Sequence, residues 1–189
     1  MAAASALAGK DFSEPPHIIL FPEVTFDETK FLKRVESCVA DYGYCVIVAS
    51  EGIKNSSGKF LSDACIKDAF GHAQLGGVAP VIAALIKNEL NLKYHFAIAD
   101  YLQRSARHIA SKVDVEQAYE LGKAAVELAV AGNNAIMPII VREQDEPYQW
   151  KISQVPLSDV ANQEKKMPAD FITADGMHIT EKCRRYLLP

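Results

Sequence analysis

Strand-like and helix-like segments alternate along this chain of 189 residues. Short apolar runs indicate buried strands, and apolar residues three or four positions apart indicate helices. The predicted strands cover residues 17–21, 44–49, 96–99 and 135–141. Because helical patterns separate these runs, we expect right-handed β-α-β units. The sequence therefore predicts an α/β fold with a mainly parallel sheet flanked by helices.

Local signals mark the ends of the predicted helices. Asp27 is placed to cap a helix after the first strand, and residues 78–90 repeat apolar side chains at helical spacing. Asp114 and Gln117 resemble a capping box at the start of a third helix, which Gly132 ends. The buried stripe of that third helix is predicted to comprise Ala118, Leu121, Ala125 and Leu128.

The pattern of apolar and polar residues changes after Arg142. We expect an α/β domain over residues 1–142, and a C-terminal extension of short helices and strands over residues 143–189. Residues 54–77 are polar and glycine-rich and are longer than an ordinary connection, which favours a functional or disordered loop. The alanine-rich residues 1–7 resemble a helix truncated at its front.

Composition narrows the class of protein. A net charge of -4 argues against a protein that coats nucleic acid. No apolar run approaches the length of about 18 residues that crosses a bilayer, so we expect no membrane partner. The four cysteines lack the CxxC spacing of a metal site, which favours a reducing, cytoplasmic setting, no structural metal and no catalytic thiol.

Polar side chains follow the third predicted strand. Ligands of open α/β sheets bind at the carboxyl ends of the strands, and arginine grips phosphate oxygens with two parallel hydrogen bonds. The pattern favours an anionic, hydroxylated ligand such as a sugar phosphate. The alternative is a strand end followed by a solvated, basic turn of helix. The residues concerned are Asp100, Tyr101, Gln103, Arg104, Arg107 and His108.

Two further segments contain candidate ligand-binding groups. Glu51 directly follows the second predicted strand, where a carboxylate can accept hydrogen bonds from sugar hydroxyls; the alternative is a carboxylate that caps a nearby backbone N–H. His72 lies in the glycine-rich residues 68–77 and is a candidate acid or base, or else a hydrogen-bonded structural residue. The glycine spacing there matches neither a Walker A loop nor a dinucleotide-binding loop.

Several motifs in one order resemble the phosphofructokinases, specifically the pyrophosphate-dependent branch. The resemblance covers essentially the whole chain and depends on the combination of motifs. They are PPHIILFPE at residues 15–23, VASEG at 48–52, DAFGHAQLGG at 68–77, DYLQRSARH at 100–108, KISQVPL at 151–157 and MPADF at 167–171.

The resemblance implies transfer of a phosphoryl group from pyrophosphate to the 1-hydroxyl of fructose 6-phosphate, with magnesium. It assigns contacts with the sugar and its 6-phosphate to Glu51, Tyr101, Gln103 and Arg104, with Tyr101 in the place of a family histidine. A second family arginine would reach the 6-phosphate from a neighbouring subunit, and ungapped counting puts His95 in its place, with Lys93 nearby. His72 and Arg107 are additional candidates.

The resemblance also implies parts that this sequence lacks. The Thr-Ile-Asp-Asn-Asp-like catalytic segment, the glycine-rich pyrophosphate loop with its magnesium-binding aspartate, and the Met-Gly-Arg sugar contact do not occur. We therefore expect the sugar-phosphate half of such an enzyme, its carboxyl-terminal portion, with no catalytic residue and no magnesium ligand. Residues 143–189 would pack on the missing domain, and the complete enzyme would be a homo-oligomer.

Two alternatives to this reading are an ATP-dependent phosphofructokinase and a non-catalytic module that binds sugar phosphate. The residues that select the phosphoryl donor would lie in the missing half, so the sequence leaves the donor open. In each case the isolated chain is expected to have negligible phosphotransferase activity.

Overall fold

A computed structural model describes residues 1–67, 73–75, 77–100 and 102–189, without the side chains of residues 63–67, 73–75, 103, 104 and 107. The chain divides into two compact units, which are described separately. Unit 1 contains Met1–Ile98 and Met167–Leu188, and unit 2 contains Ala99–Lys166 with Pro189.

The elements of the described residues follow in chain order, with short 3-10 helices at Ala3–Ala8, Arg107–Ile109 and Ala169–Phe171. They are β1 (Ile18–Leu20), α1 (Glu28–Tyr42), β2 (Ile47–Ala49), β3 (Asp63–Lys67), β4 (Ala73–Leu75), α2 (Val78–Leu90), α3 (Leu102–Ser105), α4 (Lys112–Val130), β5 (Ile136–Gln144), β6 (Gln149–Pro156), α5 (Leu157–Val160) and α6 (Glu181–Leu187).

Strand β1 lies at the centre of unit 1. It pairs in parallel with β2, and α1 forms the crossover between the two strands. Successive side chains of a strand point to opposite faces. Accordingly Ile18 and Leu20 pack in one cluster with α1 and α2, whereas Ile19 and Phe21 pack in another with α6 and the N-terminal 3-10 helix. The predicted α/β fold is confirmed in this β-α-β core, which has helices on both faces.

The first two predicted helices are confirmed. The Asp27 carboxylate accepts a hydrogen bond from Lys30 N at 3.0 Å and so caps α1. Gly43 ends α1 at a φ of 79°, a left-handed conformation that glycine adopts without strain. The buried face of α2 carries Val78, Ile82, Ala83 and Ile86.

In unit 2, α4 packs on a hairpin formed by β5 and β6. These strands are antiparallel, with Ile136 opposite Pro156 and Val141 opposite Lys151. Gln117 Nε2 donates to the Tyr148 hydroxyl at 2.7 Å, which joins the helix to the hairpin turn. The predicted strand over residues 135–141 corresponds to β5, which begins at Ile136, and β6 agrees with the short strands expected in the C-terminal extension.

Four local predictions are wrong. Residues 96–99 form no strand: residues 91–99 are irregular, and no strand pairs with them in the described part of the chain. Phe96 and Ile98 are 51% and 50% exposed. An apolar run becomes a strand only where a neighbouring strand satisfies its backbone N–H and C=O groups. Among the described residues of unit 1, only β1 and β2 pair in parallel, so residues 96–99 have no strand partner there.

The second error concerns residues 54–77, which contain the antiparallel pair β3 and β4 where a loop was expected. The third concerns α4, which begins at Lys112. Ser111 Oγ accepts from Asp114 N at 3.3 Å, so Ser111 is the cap and Asp114 lies in the first turn. The fourth concerns the stripe of α4, because Ala118 and Ala125 are exposed while Leu121 and Leu128 are partly buried.

Among the residues that the structure describes, no helix is both long and apolar enough to cross a membrane.

Candidate functional site

The carboxyl ends of β1 and β2 meet at one edge of unit 1. The pairing continues past the strands, because Ser50 N donates to Leu20 O at 3.1 Å. The next residue is Glu51, and its side chain is exposed. Unit 1 therefore places Glu51 where the sequence predicts it, at the edge of the parallel pair that binds ligands in open α/β sheets.

The backbone around Glu51 is held on both sides. Glu51 O accepts from Ser62 Oγ at 3.3 Å. A Cβ atom added to Gly52 would lie 3.0 Å from Pro22 Cβ, so the two loops approach each other as closely as glycine permits. The Glu51 carboxylate itself makes no hydrogen bond with another described residue. A fixed backbone with an uncommitted carboxylate suits recognition of a hydroxylated ligand.

A cavity of about 190 Å³ opens at the same end of β1. Its floor is apolar and includes Leu20, Phe31 and Ile53, and its polar groups include Asp27 and Asp175. Both carboxylates serve local structure. Asp27 caps α1, and Lys30 N and Nζ hold the pKa of this carboxyl below its usual value. Asp175 accepts from Thr173 Oγ1 at 2.6 Å and from Met177 N at 3.1 Å.

The other predicted sugar-phosphate residues belong to unit 2. The backbone of Gln103 and Arg104 lies in α3, which begins after a hydrogen bond from Leu102 N to Ala99 O at 2.8 Å. Their side chains, and that of Arg107, lie outside the described atoms, and Tyr101 lies outside the described residues. Glu51 and Arg104 thus belong to different units, and their shared contact with one sugar stays a prediction.

The remaining candidates from the sequence are dispersed. Lys93 and His95 lie in the irregular residues 91–99 with exposed side chains. His72 falls outside the part of the chain that the structure describes.

Two reactive groups of unit 1, one buried and one partly buried, are structural. His17 Nδ1 accepts from Val46 N at 3.0 Å, and its ring lies 5.1 Å from those of Tyr42 and Tyr44. Burial lowers the pKa of His17, which favours the neutral imidazole. Burial, with the Cys38 thiol as a second cause, raises the pKa of Cys45 to about 12, which removes any thiolate nucleophile at neutral pH.

No group of three histidine, cysteine, aspartate or glutamate side chains suited to a metal occurs within the described ranges.

One exposed apolar surface of unit 2 was not predicted from the sequence. One side of α4 carries Val115, Tyr119, Val126 and Val130, all exposed. We call these four residues the outer face of α4. Their spacing of four, seven and four residues is visible in the sequence, but the neighbouring alanines and leucines form a second stripe with helical spacing, and the predicted buried side consisted of those residues.

Comparisons with known proteins agree with this architecture. No family model matches the chain. Over its whole length the chain is 59% identical to pyrophosphate–fructose 6-phosphate 1-phosphotransferase of Halomonas elongata, and 57% identical to the protein of that name from Methylococcus capsulatus. It covers 45% of each. ATP-dependent 6-phosphofructokinase of Mycobacterium tuberculosis is more distant, with 28% identity over 153 residues, which is 80% of this chain and 42% of that protein.

A solved structure matches as well. The chain superposes on the pyrophosphate-dependent phosphofructokinase of Marinobacter aquaeolei with a TM-score of 0.82 and 55% identity, over 100% of this chain and 43% of that one. The chain thus spans less than half the length of these relatives.

A β-α-β core with helices on both faces and similarity along the whole chain together define the class: the chain corresponds to a portion of the phosphofructokinases. Within that family, its sequence and its fold correspond to a portion of the pyrophosphate-dependent phosphofructokinases.

Proposed function

We propose that this chain supplies the fructose 6-phosphate-binding part of an enzyme that moves a phosphoryl group from pyrophosphate to the sugar's 1-hydroxyl. The observation that carries the proposal is the identity of 55–59% to proteins named for that reaction or donor, maintained over the whole chain. Identity to the ATP-dependent relative is about half as high, which favours pyrophosphate as the donor.

The proposed binding groups contact different parts of the ligand. Arg104 pairs with the 6-phosphate, because a guanidinium forms two parallel charge-assisted hydrogen bonds with phosphate oxygens. Glu51 accepts hydrogen bonds from sugar hydroxyls with a carboxylate that no other described residue engages. Tyr101 and Gln103 complete the set with a phenol and an amide, and Lys93, His95, Arg107 and His72 are secondary candidates.

The chemical step belongs to residues outside this chain. Phosphoryl transfer depends on positioning and on electrostatic stabilisation of the transferring group. The described residues offer no metal cluster, so we assign magnesium, which this reaction class uses, to the rest of the enzyme. This chain orients the acceptor sugar. The complete enzyme is proposed to be a cytoplasmic homo-oligomer, consistent with the free thiols of Cys38, Cys45 and Cys183.

Calorimetry with fructose 6-phosphate tests the binding proposal. The chain should release heat with fructose 6-phosphate and none with fructose, since the phosphate supplies the charged contact. Arg104→Ala should abolish that heat, whereas Arg185→Ala, which removes an exposed arginine of α6, should leave it unchanged. Equal heats from both sugars, or no heat from either, would contradict the proposal.

The donor is tested separately. A full-length enzyme that contains this sequence should convert fructose 6-phosphate to fructose 1,6-bisphosphate with pyrophosphate and not with ATP. Turnover with ATP alone would support the ATP-dependent alternative. Binding of sugar phosphate without turnover from either donor would support the non-catalytic module.

A further inference from the structure

A buried hydroxyl contacts the turn that carries Glu51. Ser62 is 5% exposed and lies immediately before β3. Its Oγ donates to Glu51 O at 3.3 Å, which is the one side-chain hydrogen bond to the Glu51 backbone among the described residues. Buried hydroxyls in proteins are normally hydrogen-bonded. Here the acceptor is the backbone of the residue that is proposed to bind the sugar.

The peptide between Glu51 and Gly52 has no other hydrogen bond to hold it. Backbone hydrogen bonds anchor the chain before and after the turn, and they are Ser50 N to Leu20 O at 3.1 Å and Leu61 N to Ile53 O at 3.0 Å. Between these anchors, Glu51 and Gly52 make no backbone–backbone hydrogen bond with another described residue. The hydroxyl of Ser62 is therefore the group that fixes the orientation of this peptide.

The residue after Glu51 makes that bond necessary. Glycine adopts positive and negative φ with equal ease, so Gly52 leaves the preceding peptide free to rotate. Such a rotation would shift the Cα atom of Glu51 and redirect its side chain. A binding group has to be held within about 0.5 Å of its productive position, and hydrogen bonds from supporting residues provide this precision.

We propose that Ser62 is a positioning residue for the carboxylate of Glu51. Its hydroxyl fixes the Glu51–Gly52 peptide, and the carboxylate, which no other described residue engages, is thereby aimed at the hydroxyls of the acceptor sugar. Because Ser62 is buried, it acts through the backbone of Glu51 and not by contact with the ligand. The inference rests on the proposed function, since it requires that Glu51 binds fructose 6-phosphate.

Steady-state kinetics of the full-length enzyme that contains this sequence test the inference. Ser62→Ala should raise the KM for fructose 6-phosphate about three- to tenfold, the loss expected for one neutral hydrogen bond. The kcat and the KM for pyrophosphate should stay unchanged, because the variant weakens binding of the sugar alone. Ser57→Ala is the matched control. It removes an exposed hydroxyl that bonds Asn55 Oδ1 at 2.7 Å a few residues earlier, and it should leave both KM values unchanged.

Conservative variants separate the hydrogen bond from the space that the side chain fills. Ser62→Thr keeps the hydroxyl and should keep a KM near that of the wild type. Ser62→Cys fills a similar volume but donates only weakly, so its KM should rise as in Ser62→Ala. The cysteine variant also tests the inference if Ser62→Ala does not fold.

A double-variant cycle with Glu51→Ala shows whether Ser62 acts through Glu51. In the Glu51→Ala enzyme, Ser62→Ala should cause no further fall in kcat/KM for fructose 6-phosphate, because the carboxylate that it positions is gone. A merely structural serine would lower kcat/KM by the same factor in both backgrounds, and that result would overturn the inference.

Two further outcomes separate the inference from the proposed function. If Glu51→Ala raises the KM for fructose 6-phosphate while Ser62→Ala and Ser62→Cys do not, the inference is wrong and the proposed function stands. If the wild-type enzyme neither binds nor converts fructose 6-phosphate, the proposed function is wrong, and the inference is wrong with it.

Discussion

At the scale of single residues, the site combines a fixed backbone with a free carboxylate at Glu51. In the full-length enzyme Glu51→Gln should raise the KM for fructose 6-phosphate at least tenfold, because the amide weakens a charge-assisted hydrogen bond worth about 1.5–3 kcal/mol. Steady-state kinetics measure this change. Glu89→Gln, an exposed glutamate near the end of α2, is the matched control. An unchanged KM in Glu51→Gln would remove Glu51 from the site.

Arg104→Ala is expected to weaken fructose 6-phosphate binding in the same enzyme by about 2 kcal/mol, since it removes a contact between a guanidinium and a phosphate. Arg104→Lys should recover only part of the loss, because an ammonium cannot form two parallel hydrogen bonds. If Arg104→Lys binds as well as wild type, the planar contact is absent.

Gly176 illustrates a backbone constraint beside the cavity at the end of β1. Its φ is 76°, and an added Cβ would lie 2.8 Å from Val24 Cγ1. Gly176→Ala should therefore destabilise the chain by about 1–3 kcal/mol, from backbone strain and overpacking together. Urea unfolding measures this, and Gly58→Ala, with a φ of 76° but nothing within 4 Å, should lose less.

His17 makes stability depend on pH. Burial lowers its pKa in the folded chain, so the unfolded chain binds more protons below the ordinary value of 6.5. The contribution of neutral His17 to the free energy of unfolding is complete above pH 6.5, and it is lost as the pH falls from 6.5 toward the pKa of His17 in the folded chain. The melting temperature should drop between pH 7 and pH 5, and His17→Asn should flatten that drop. The exposed His95→Asn should retain the wild-type slope.

At the scale of elements, packing decided which apolar runs became regular structure. Asp27, Gly43 and the apolar repeat of α1 predicted that helix because its signals are local. The prediction of a strand at residues 96–99 was wrong because strand formation depends on a neighbouring strand, which no local sequence pattern reveals. The cap of α4 was predicted at Asp114 and not at Ser111, because Asp114 and Gln117 have the spacing of a capping box one turn later.

The candidate site was likewise predictable only where the signal is local in the sequence. Glu51 follows β2 as the sequence indicated, because the end of an apolar strand can be read locally, and its contact with a sugar stays a prediction. Whether Glu51 and Arg104 contact one sugar depends on the arrangement of separate units, and the residues themselves do not fix that arrangement.

The difference between α1 and the residues 91–99 gives a prediction at this scale. Phe31 is fully buried against β1 and α2, whereas Phe96 is half exposed. Phe31→Ala should lower the free energy of unfolding by about 3–5 kcal/mol, and Phe96→Ala should change it by under about 0.5 kcal/mol. Urea titration of both variants compares them directly. Equal losses would show that residues 91–99 are packed in solution.

At the scale of the whole molecule, the proposed function assigns sugar binding and phosphoryl transfer to different parts of one enzyme. The chain spans less than half of its relatives, and its described residues lack a metal cluster. The isolated chain should therefore show no turnover of fructose 6-phosphate with pyrophosphate in a coupled assay for fructose 1,6-bisphosphate. Turnover by the chain alone, at a rate comparable to that of the full-length enzyme, would contradict this division.

Arg184 of α6 donates to the carbonyl oxygens of Ala6 and Gly9, residues more than 170 positions earlier in the sequence. Unit 1 is thus discontinuous, and unit 2 is essentially continuous. During synthesis on the ribosome, unit 2 emerges complete while the core of unit 1 still awaits α6. The face of β1 that packs against α6 therefore stays uncovered until α6 has left the ribosome, and transiently exposed apolar surface of this kind is prone to aggregate.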